Sequence, residues 1–285
     1  MRFDVIGLAA ASTALAVFAV SAQAADWSDT SVGLRTGNKF AEPYGSTSIG
    51  KNILDLNHVS GYKYGTNFFN VDLLMSDGKD PAGGVAGQPG AQEAYLVYRN
   101  TFDLSKITGS PIKFGPVRTV GITAGFDLNT KNDGYGSKKR MLVIGPTFEM
   151  DVPGFLNLSA YMLDESNAPN GLGHRYSYKT HGALEADWGI PLGSLPLSFG
   201  GYAQWIQSKG SNEFGGSTAA ETHIDMMVML DVGAATGAAK NTFKIGVEYE
   251  YWKNKFGNPT TSVIGPGAGP GATAKTPMIR AEYHF

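Results

Sequence analysis

The residues nearest the carboxy end of the sequence alternate in polarity with a period of two. The apolar or aromatic positions are Ile279, Ala281, Tyr283 and Phe285, and the polar positions between them are Arg280, Glu282 and His284. A period of two places successive side chains on opposite faces of a β-strand. One apolar face, one ionisable face and a terminal aromatic residue are typical of a transmembrane β-barrel, in which lipid lies outside and water inside.

The same alternation recurs along the chain. In the clearest segment, residues 120–129, apolar side chains at the even positions oppose Thr123, Asp127 and Asn129. The turn Pro153-Gly154 joins two further long segments and predicts an antiparallel hairpin. Other strands are predicted near residues 31–36, 52–59, 69–75, 95–102, 180–188, 197–207, 223–231, 243–251 and 279–285. The sequence thus predicts an all-β fold, a single transmembrane antiparallel β-barrel of about twelve strands over residues 25–285, with both barrel ends periplasmic.

A soluble β-sandwich also alternates, but its strands are usually shorter and its polar face points outward. Here several strands run about ten residues, which is the length that crosses a bilayer at a tilt. Aromatic residues near strand ends are expected to form interfacial girdles, as lipid-exposed barrels require. These are Phe102, Trp188, Trp205, Tyr249, Tyr251, Tyr283 and Phe285.

Residues 1–24 have the features of a cleavable signal peptide. Arg2 precedes the apolar segment Val5–Val20, and Ala22-Gln23-Ala24 forms a small-residue cleavage site. We therefore expect export to the outer membrane of a Gram-negative bacterium. The sequence contains no Cys and has a formal net charge of −2, which excludes thiol chemistry and argues against nucleic acid as a partner.

The connections alternate in character. Those predicted to face outward are rich in Gly, Asn, Pro and Ser, and they are residues 37–51, 76–92, 131–139, 166–179, 208–220 and 253–275. Most of the periplasmic connections are compact. Residues 103–116 are the exception, and the pattern alone does not explain their length.

Several blocks of sequence resemble the nucleoside-specific channel-forming outer-membrane family typified by Tsx, which includes an OmpK-type phage-receptor branch. The blocks are HVSGYKYG at 58–65, NFFNVD at 67–72, GFDLNTKND at 125–133, EYEYWKNKFG at 248–257 and AEYHF at 281–285. The resemblance implies a monomeric twelve-stranded barrel with a narrow channel, permeable to nucleosides in the best-known members. No binding site of the family is carried over to this chain.

The inward positions predict an interior with more carboxylates than cations, which favours cations over anions. Ion pairing across a narrow barrel is the alternative, and a paired wall that leaves a small polar path combines both. Aromatic side chains could stack on a nucleobase while polar neighbours meet ribose hydroxyls. The predicted substrate path comprises Phe68, Asn70, Asp72, Tyr95, Arg99, Asp127, Glu149, Tyr161, Tyr202, Gln204, Glu250, Trp252 and Arg280.

The leading hypothesis is a channel for passive diffusion of small polar solutes, including nucleosides, without a cofactor or metal. One alternative is a surface receptor or structural barrel with a plugged bore that docks phage or colicin. A less favoured one is a hydrolase built on His223 and Asp225, for which no serine nucleophile motif is found. Lys138-Lys139-Arg140, with Lys131 nearby, predicts a cationic outer rim facing lipopolysaccharide phosphates.

Overall fold

A computed structural model describes residues 25–260 and 269–285. The predicted leader and residues 261–268, in the last outward connection, lie outside these ranges. The described chain forms twelve long antiparallel strands in which each strand pairs with the next along the sequence, and the first pairs with the last to close the barrel. The strands are β1 Trp27–Phe40, β2 Ile49–Tyr62, β3 Gly65–Ser76, β4 Gln92–Asp103, β5 Val117–Lys131, β6 Arg140–Met150, β7 Phe155–Asn167, β8 His181–Pro191, β9 Leu197–Ile206, β10 Glu221–Asp231, β11 Phe243–Lys253 and β12 Thr273–His284.

The remaining elements are short. Tyr176–Ser177 adds a two-residue strand to the end of β7. The helix α1 covers Leu104–Thr108 and α2 covers Val232–Thr236, and single 3₁₀ turns lie at Ala82–Gly84, Lys255–Gly257 and Pro270–Ala272. Among the described residues, no helix is long and apolar enough to cross a membrane.

Burial along the strands is the reverse of that in a soluble protein. Large apolar side chains are exposed on the outer face, with Ile279 66% exposed and Leu142 62% exposed. Charged side chains are buried on the inner face, where Asp55 is 0% exposed and Glu248 is 3% exposed. An exterior of this kind is stable only against hydrocarbon, because in water it would be a large apolar patch. The predicted barrel is confirmed, and the sandwich alternative is wrong.

The start of β1 and the end of β12 lie on the same side of the barrel, opposite the longer loops. Outward-facing aromatic residues lie near the strand ends, among them Phe102, Phe243 and Tyr283 at the end with the short connections. At the opposite, extracellular end, Trp205 faces outward next to the last residue of β9. Two such bands match the interfacial girdles of outer-membrane barrels.

A capped helix explains the long connection after β4. The carboxylate of Asp103 accepts hydrogen bonds from the backbone N–H groups of Ser105 and Lys106, which satisfies donors at the start of α1. Gly109 then ends the helix in the left-handed conformation, as glycine does at many helix C-termini. Asp231 caps α2 in the same way through Ala234 N–H. Each periplasmic helix thus follows directly on the last aspartate of a strand.

Candidate functional site: the bore

Two arginines organise the buried middle of the bore. Arg35 on β1 lies 2.5 Å from Asp72, 3.0 Å from Glu248 and 3.6 Å from Asp55. Arg280 on β12 lies 2.9 Å from Glu248 and 3.3 Å from Asp55. We call these five residues the arginine node. The node ties together β1, β2, β3, β11 and β12, and its three carboxylates compensate both guanidinium charges within the wall.

The node continues toward the periplasmic opening through a chain of contacts. Arg280 Nε lies 2.5 Å from Glu282, and Glu282 lies 3.1 Å from His284 Nε2. His284 Nδ1 lies 2.9 Å from Asp29 on β1. The three polar residues that the alternation places inward at the end of the closing strand, Arg280, Glu282 and His284, therefore take part in one network.

A second cluster lies on β4 and β5. Arg99 Nη1 donates to Asp127 at 2.6 Å, and the hydroxyl of Tyr95 donates to the same carboxylate at 3.1 Å. Lys139, from the following outer loop, donates to the Tyr95 hydroxyl at 3.2 Å. Beside this cluster, Thr101, Thr123, Thr147 and Ser159 join β4 to β7 by successive hydroxyl contacts of 2.7, 2.6 and 2.9 Å.

The extracellular mouth is bridged by the first loop. Glu42 Oε1 lies 2.6 Å from Lys51 Nζ, and 3.5 Å from the Nζ atoms of both Lys131 and Lys255. Lys255 also donates to the backbone carbonyl of Ala41 at 2.9 Å. We call Glu42 and its three lysines the glutamate clasp. Burial by itself raises the pKa of Glu42, but the charges of Lys255, Lys51 and Lys131 outweigh it and hold that pKa well below its usual value.

Glu213 joins two other outer loops. It accepts hydrogen bonds from the phenols of Tyr135 and, at 2.7 Å, Tyr178. Burial and then the nearby Glu213 carboxylate raise the pKa of both phenols, so they stay protonated and remain donors. The outer loops are thus cross-linked by polar contacts in addition to their covalent connections.

An aromatic stack lines β9, β10 and β11. The His223 ring stacks on Trp252 with centroids 3.9 Å apart and an interplanar angle of 8°, and Tyr202 meets His223 edge-on at 5.1 Å. Lys255 Nζ lies 5.0 Å from the centroid of Trp252, and Phe256 packs edge-on against Trp252 at 4.7 Å. His223 therefore faces aromatic rings. In the described chain its ring nitrogens contact only the Tyr202 hydroxyl, so the His223–Asp225 pair of the hydrolase alternative is not formed.

The carboxylates beside this stack form no salt bridge within the described chain. They are Glu185, Asp187, Glu221, Asp225 and Glu250, of which Glu221 accepts a hydrogen bond from Trp252 Nε1 at 3.1 Å. Asp225 lies opposite Tyr202 on one side and Glu250 on the other, and Gln204 donates to Glu185. Asp225 Oδ1 and Glu250 Oε1 are buried without a hydrogen-bond partner among the described residues. Inward carboxyl groups without a cation are what the inward pattern predicts, and they coexist here with the arginine node.

The structure divides the predicted substrate path into four groups. Asp72 and Arg280 belong to the arginine node, with Asn70 donating to Asp72 at 3.1 Å. Tyr95, Arg99 and Asp127 form one contact set, and Tyr202, Gln204, Glu250 and Trp252 lie on neighbouring strands. Glu149 pairs with Arg118 at 3.0 Å, Tyr161 is buried in an apolar cluster, and Phe68 remains 36% exposed on β3.

Three features of the bore differ from the prediction or are absent from it. Arg35 is absent from the predicted path, although the alternation of Leu34, Arg35 and Thr36 could have identified it as inward. Lys131 and Lys139, predicted on the outer rim, point into the bore, where Lys131 pairs with Asp80 at 2.8 Å and Lys139 donates to the Tyr95 hydroxyl. Glu42 gives no periodic signal, since it lies in a loop.

The closed barrel, its apolar exterior, its even strand number and its aromatic bands define an outer-membrane β-barrel protein. No protein-family model and no curated protein sequence matches the chain. Among solved structures, the NanC porin matches with a TM-score of 0.47 and 10% identity over 90% of this chain and 99% of its own. The KdgM porin gives 0.43 and 10% over 90% and 99%. The anion-selective porin from Comamonas acidovorans gives 0.36 and 9% over 91% and 99%. At these values the likeness assigns neither a family nor a solute.

Within residues 25–260 and 269–285, no group of three or more His, Cys, Asp or Glu side chains could hold a metal ion.

Proposed function

We propose that this protein is an outer-membrane channel for passive diffusion of small polar solutes, with a preference for neutral and cationic ones. The observation that carries the proposal is a closed lipid-facing barrel whose inner wall is polar and holds carboxylates without cations. An uncompensated carboxylate in a confined aqueous path attracts cations and repels anions. The activity requires no cofactor, and we expect no hydrolase activity.

Nucleosides are the solute class that the resemblance to the Tsx-like family suggests. Both faces of Trp252 are already covered, by His223 and by Lys255, so the aromatic stack offers little free surface. Phe68 is more accessible, and Asn70 and Asp72 follow it on the same face of β3. We therefore infer that a base would stack on Phe68, while the ribose hydroxyls meet Asn70 and Asp72.

Flux into proteoliposomes tests this proposal. We expect uptake of adenosine and uridine to exceed uptake of their monophosphates, because the phosphate meets the unpaired carboxylates. Phe68→Leu should lower nucleoside flux and leave glycerol flux unchanged. The matched control is Phe69→Leu, since Phe69 is the next residue and points to the lipid. Equal entry of nucleosides and monophosphates would refute the selectivity, and an unchanged nucleoside flux in Phe68→Leu would refute the site.

The second candidate is a receptor or structural barrel with a plugged bore, which phage or colicin could use as a docking surface. It is favoured by the tight packing of inward side chains, since Asp55 and Thr276 are 0% exposed and Thr123 is 1% exposed. Planar-bilayer recording separates the two. A channel gives discrete steps of current, with a reversal potential in a KCl gradient that shows preference for K⁺, whereas a plugged barrel gives no steps.

A further inference from the structure

Three exposed lysines lie at the extracellular edge of the outer wall without an acidic partner. Lys39 lies near the end of β1, Lys253 ends β11, and Lys275 lies near the start of β12. None of their ammonium groups forms a salt bridge within the described ranges. Other lysines at this end, such as Lys51 and Lys131, are buried in the bore and paired with carboxylates. We call Lys39, Lys253 and Lys275 the lysine triad.

The strand register brings the triad together. Lys275 pairs with Tyr251 and Lys253 pairs with Thr273, so these two lysines are diagonal neighbours on the outer face. Thr276 Oγ1 donates to the backbone carbonyl of Lys39 at 3.0 Å, which fixes β1 beside β12 at this level. Adjacent strands lie about 4.8 Å apart, so three adjacent strands place these lysines within the width of one lipid headgroup.

An apolar groove of about 720 Å³ lies on the wall below the triad. Its lining continues each of the same strands toward the periplasm: Pro277 and Ile279 follow Lys275, Tyr249 and Val247 precede Lys253, and Thr36 precedes Lys39. Val247 is 63% exposed and Ile279 is 66% exposed, which suits contact with an acyl chain.

Some of the outward side chains next to the triad are polar. Thr36 donates to Asn52 at 2.8 Å on this outer surface, and Asn38 is exposed beside them. Hydroxyl and amide groups at lipid depth need polar partners. A headgroup that carries sugars as well as charge supplies them, whereas a simple hydrocarbon surface does not.

We propose that the triad and the groove form a binding site for a phosphorylated glycolipid of the lipid A class. The phosphates contact the three ammonium groups, the sugar contacts Thr36, Asn38 and Asn52, and one acyl chain lies in the groove. Cations next to an anionic membrane surface each contribute a favourable interaction, and three of them act on one headgroup here. This proposal stands independently of whether the bore conducts.

Native mass spectrometry of the detergent-purified mature protein tests the site, with hexa-acylated lipid A as the probe. In the variant with Lys39→Gln, Lys253→Gln and Lys275→Gln, we expect affinity to fall about 100-fold, from roughly fivefold per lysine. The control carries Lys106→Gln, Lys113→Gln and Lys240→Gln, which removes the same charge from the periplasmic end. A fully dephosphorylated lipid A should bind the wild type as weakly as it binds the triad variant.

Filling the groove provides a second test that leaves every charge in place. Val247→Trp should weaken binding of hexa-acylated lipid A, whereas Leu56→Trp, an outward residue of β2 outside the groove, should not. Retention of wild-type affinity in the triad variant, or an equal loss in the periplasmic control, would overturn the site. If the triad variant binds weakly but Val247→Trp binds normally, the groove assignment is wrong.

Discussion

The glutamate clasp makes a sharp prediction about the extracellular mouth. Glu42→Gln keeps the size of the side chain but removes the charge that holds the first loop against Lys51, Lys131 and Lys255. We expect the loop to open and the mouth to widen, because three ammonium groups that share one carboxylate then repel each other.

The structure sets the magnitude of this effect. Removing one partner of a buried ion pair costs about 3–5 kcal/mol. Lys131 keeps Asp80 and Asp133, each at 2.8 Å, and Lys51 keeps Glu93 at 3.8 Å, so the lower figure applies. About 3 kcal/mol corresponds to a population shift of roughly 10²-fold toward the open loop. A clasp that is rarely open in the wild type would then be open for a measurable fraction of the time in Glu42→Gln.

The pH dependence of the conductance follows from the direction in which the pKa of Glu42 is shifted. Because the folded-state pKa of Glu42 is lowered from its ordinary value of 4.5, the clasp is fully stabilised above that value and is lost as the pH falls through the lower folded-state pKa. Wild-type conductance should therefore be constant from pH 7 down to about 4.5 and rise only in stronger acid. Glu42→Gln should be open at every pH in this range.

Single-channel recording in planar bilayers checks both predictions. The control is Asp164→Asn, which removes a carboxylate near the same end of the barrel from an exposed position of β7. We expect a larger or more often open conductance for Glu42→Gln and wild-type behaviour for Asp164→Asn. Identical currents in wild type and Glu42→Gln would show that the clasp does not restrict the path.

Three further predictions concern stability, each measured by urea unfolding of the barrel in lipid vesicles. Arg280→Met should cost about 3 kcal/mol, because Asp55 and Glu248 stay buried with Arg35 as the one remaining cationic partner among the described residues. An unchanged unfolding midpoint would contradict the node. Asp103→Ala should cost about 1 kcal/mol through loss of the α1 cap, and Asp103→Asn should restore most of it. Thr123→Val should cost about 1–2 kcal/mol, because the neighbouring hydroxyls at 2.6 and 2.7 Å lose a partner inside the wall; a stability equal to wild type would show that water replaces it.

The strands were predictable because lipid outside and water inside impose a strict period of two. This alternation of apolar and polar side chains is lost where the outer surface of the barrel extends beyond the hydrocarbon layer. In the first half of β12, Lys275 and Pro277 point outward while Ala274 and Met278 point inward, so the polarity pattern reverses and the predicted strand starts late, near residue 279. The same departure from the rule marks the level of the lysine triad.

The contents of the bore were only partly predictable. Alternation identifies which residues of β4 and β5 point inward, and Arg99 and Asp127 are found together as expected. It cannot specify which charges meet across the barrel, since Arg35 and Glu248 are 213 residues apart in sequence. Loop residues such as Glu42 have no period, so their entry into the mouth depends on the tertiary structure alone.

Burial and ion pairing do not coincide for every carboxylate inside this barrel. Asp55, Asp127 and Glu248 have cationic partners and are buried, and Asp225, which has none in the described chain, is equally buried, whereas Glu185 and Asp187 have no cationic partner there and are half-buried. The arginines bridge β1–β3, β11 and β12 in the node and β4 with β5 in the second cluster, and no arginine of the described chain pairs with a carboxylate of β8, β9 or β10. Under the proposed channel function, solutes would therefore meet Glu185 and Asp187 rather than buried, ion-paired carboxylates such as Asp55 and Glu248.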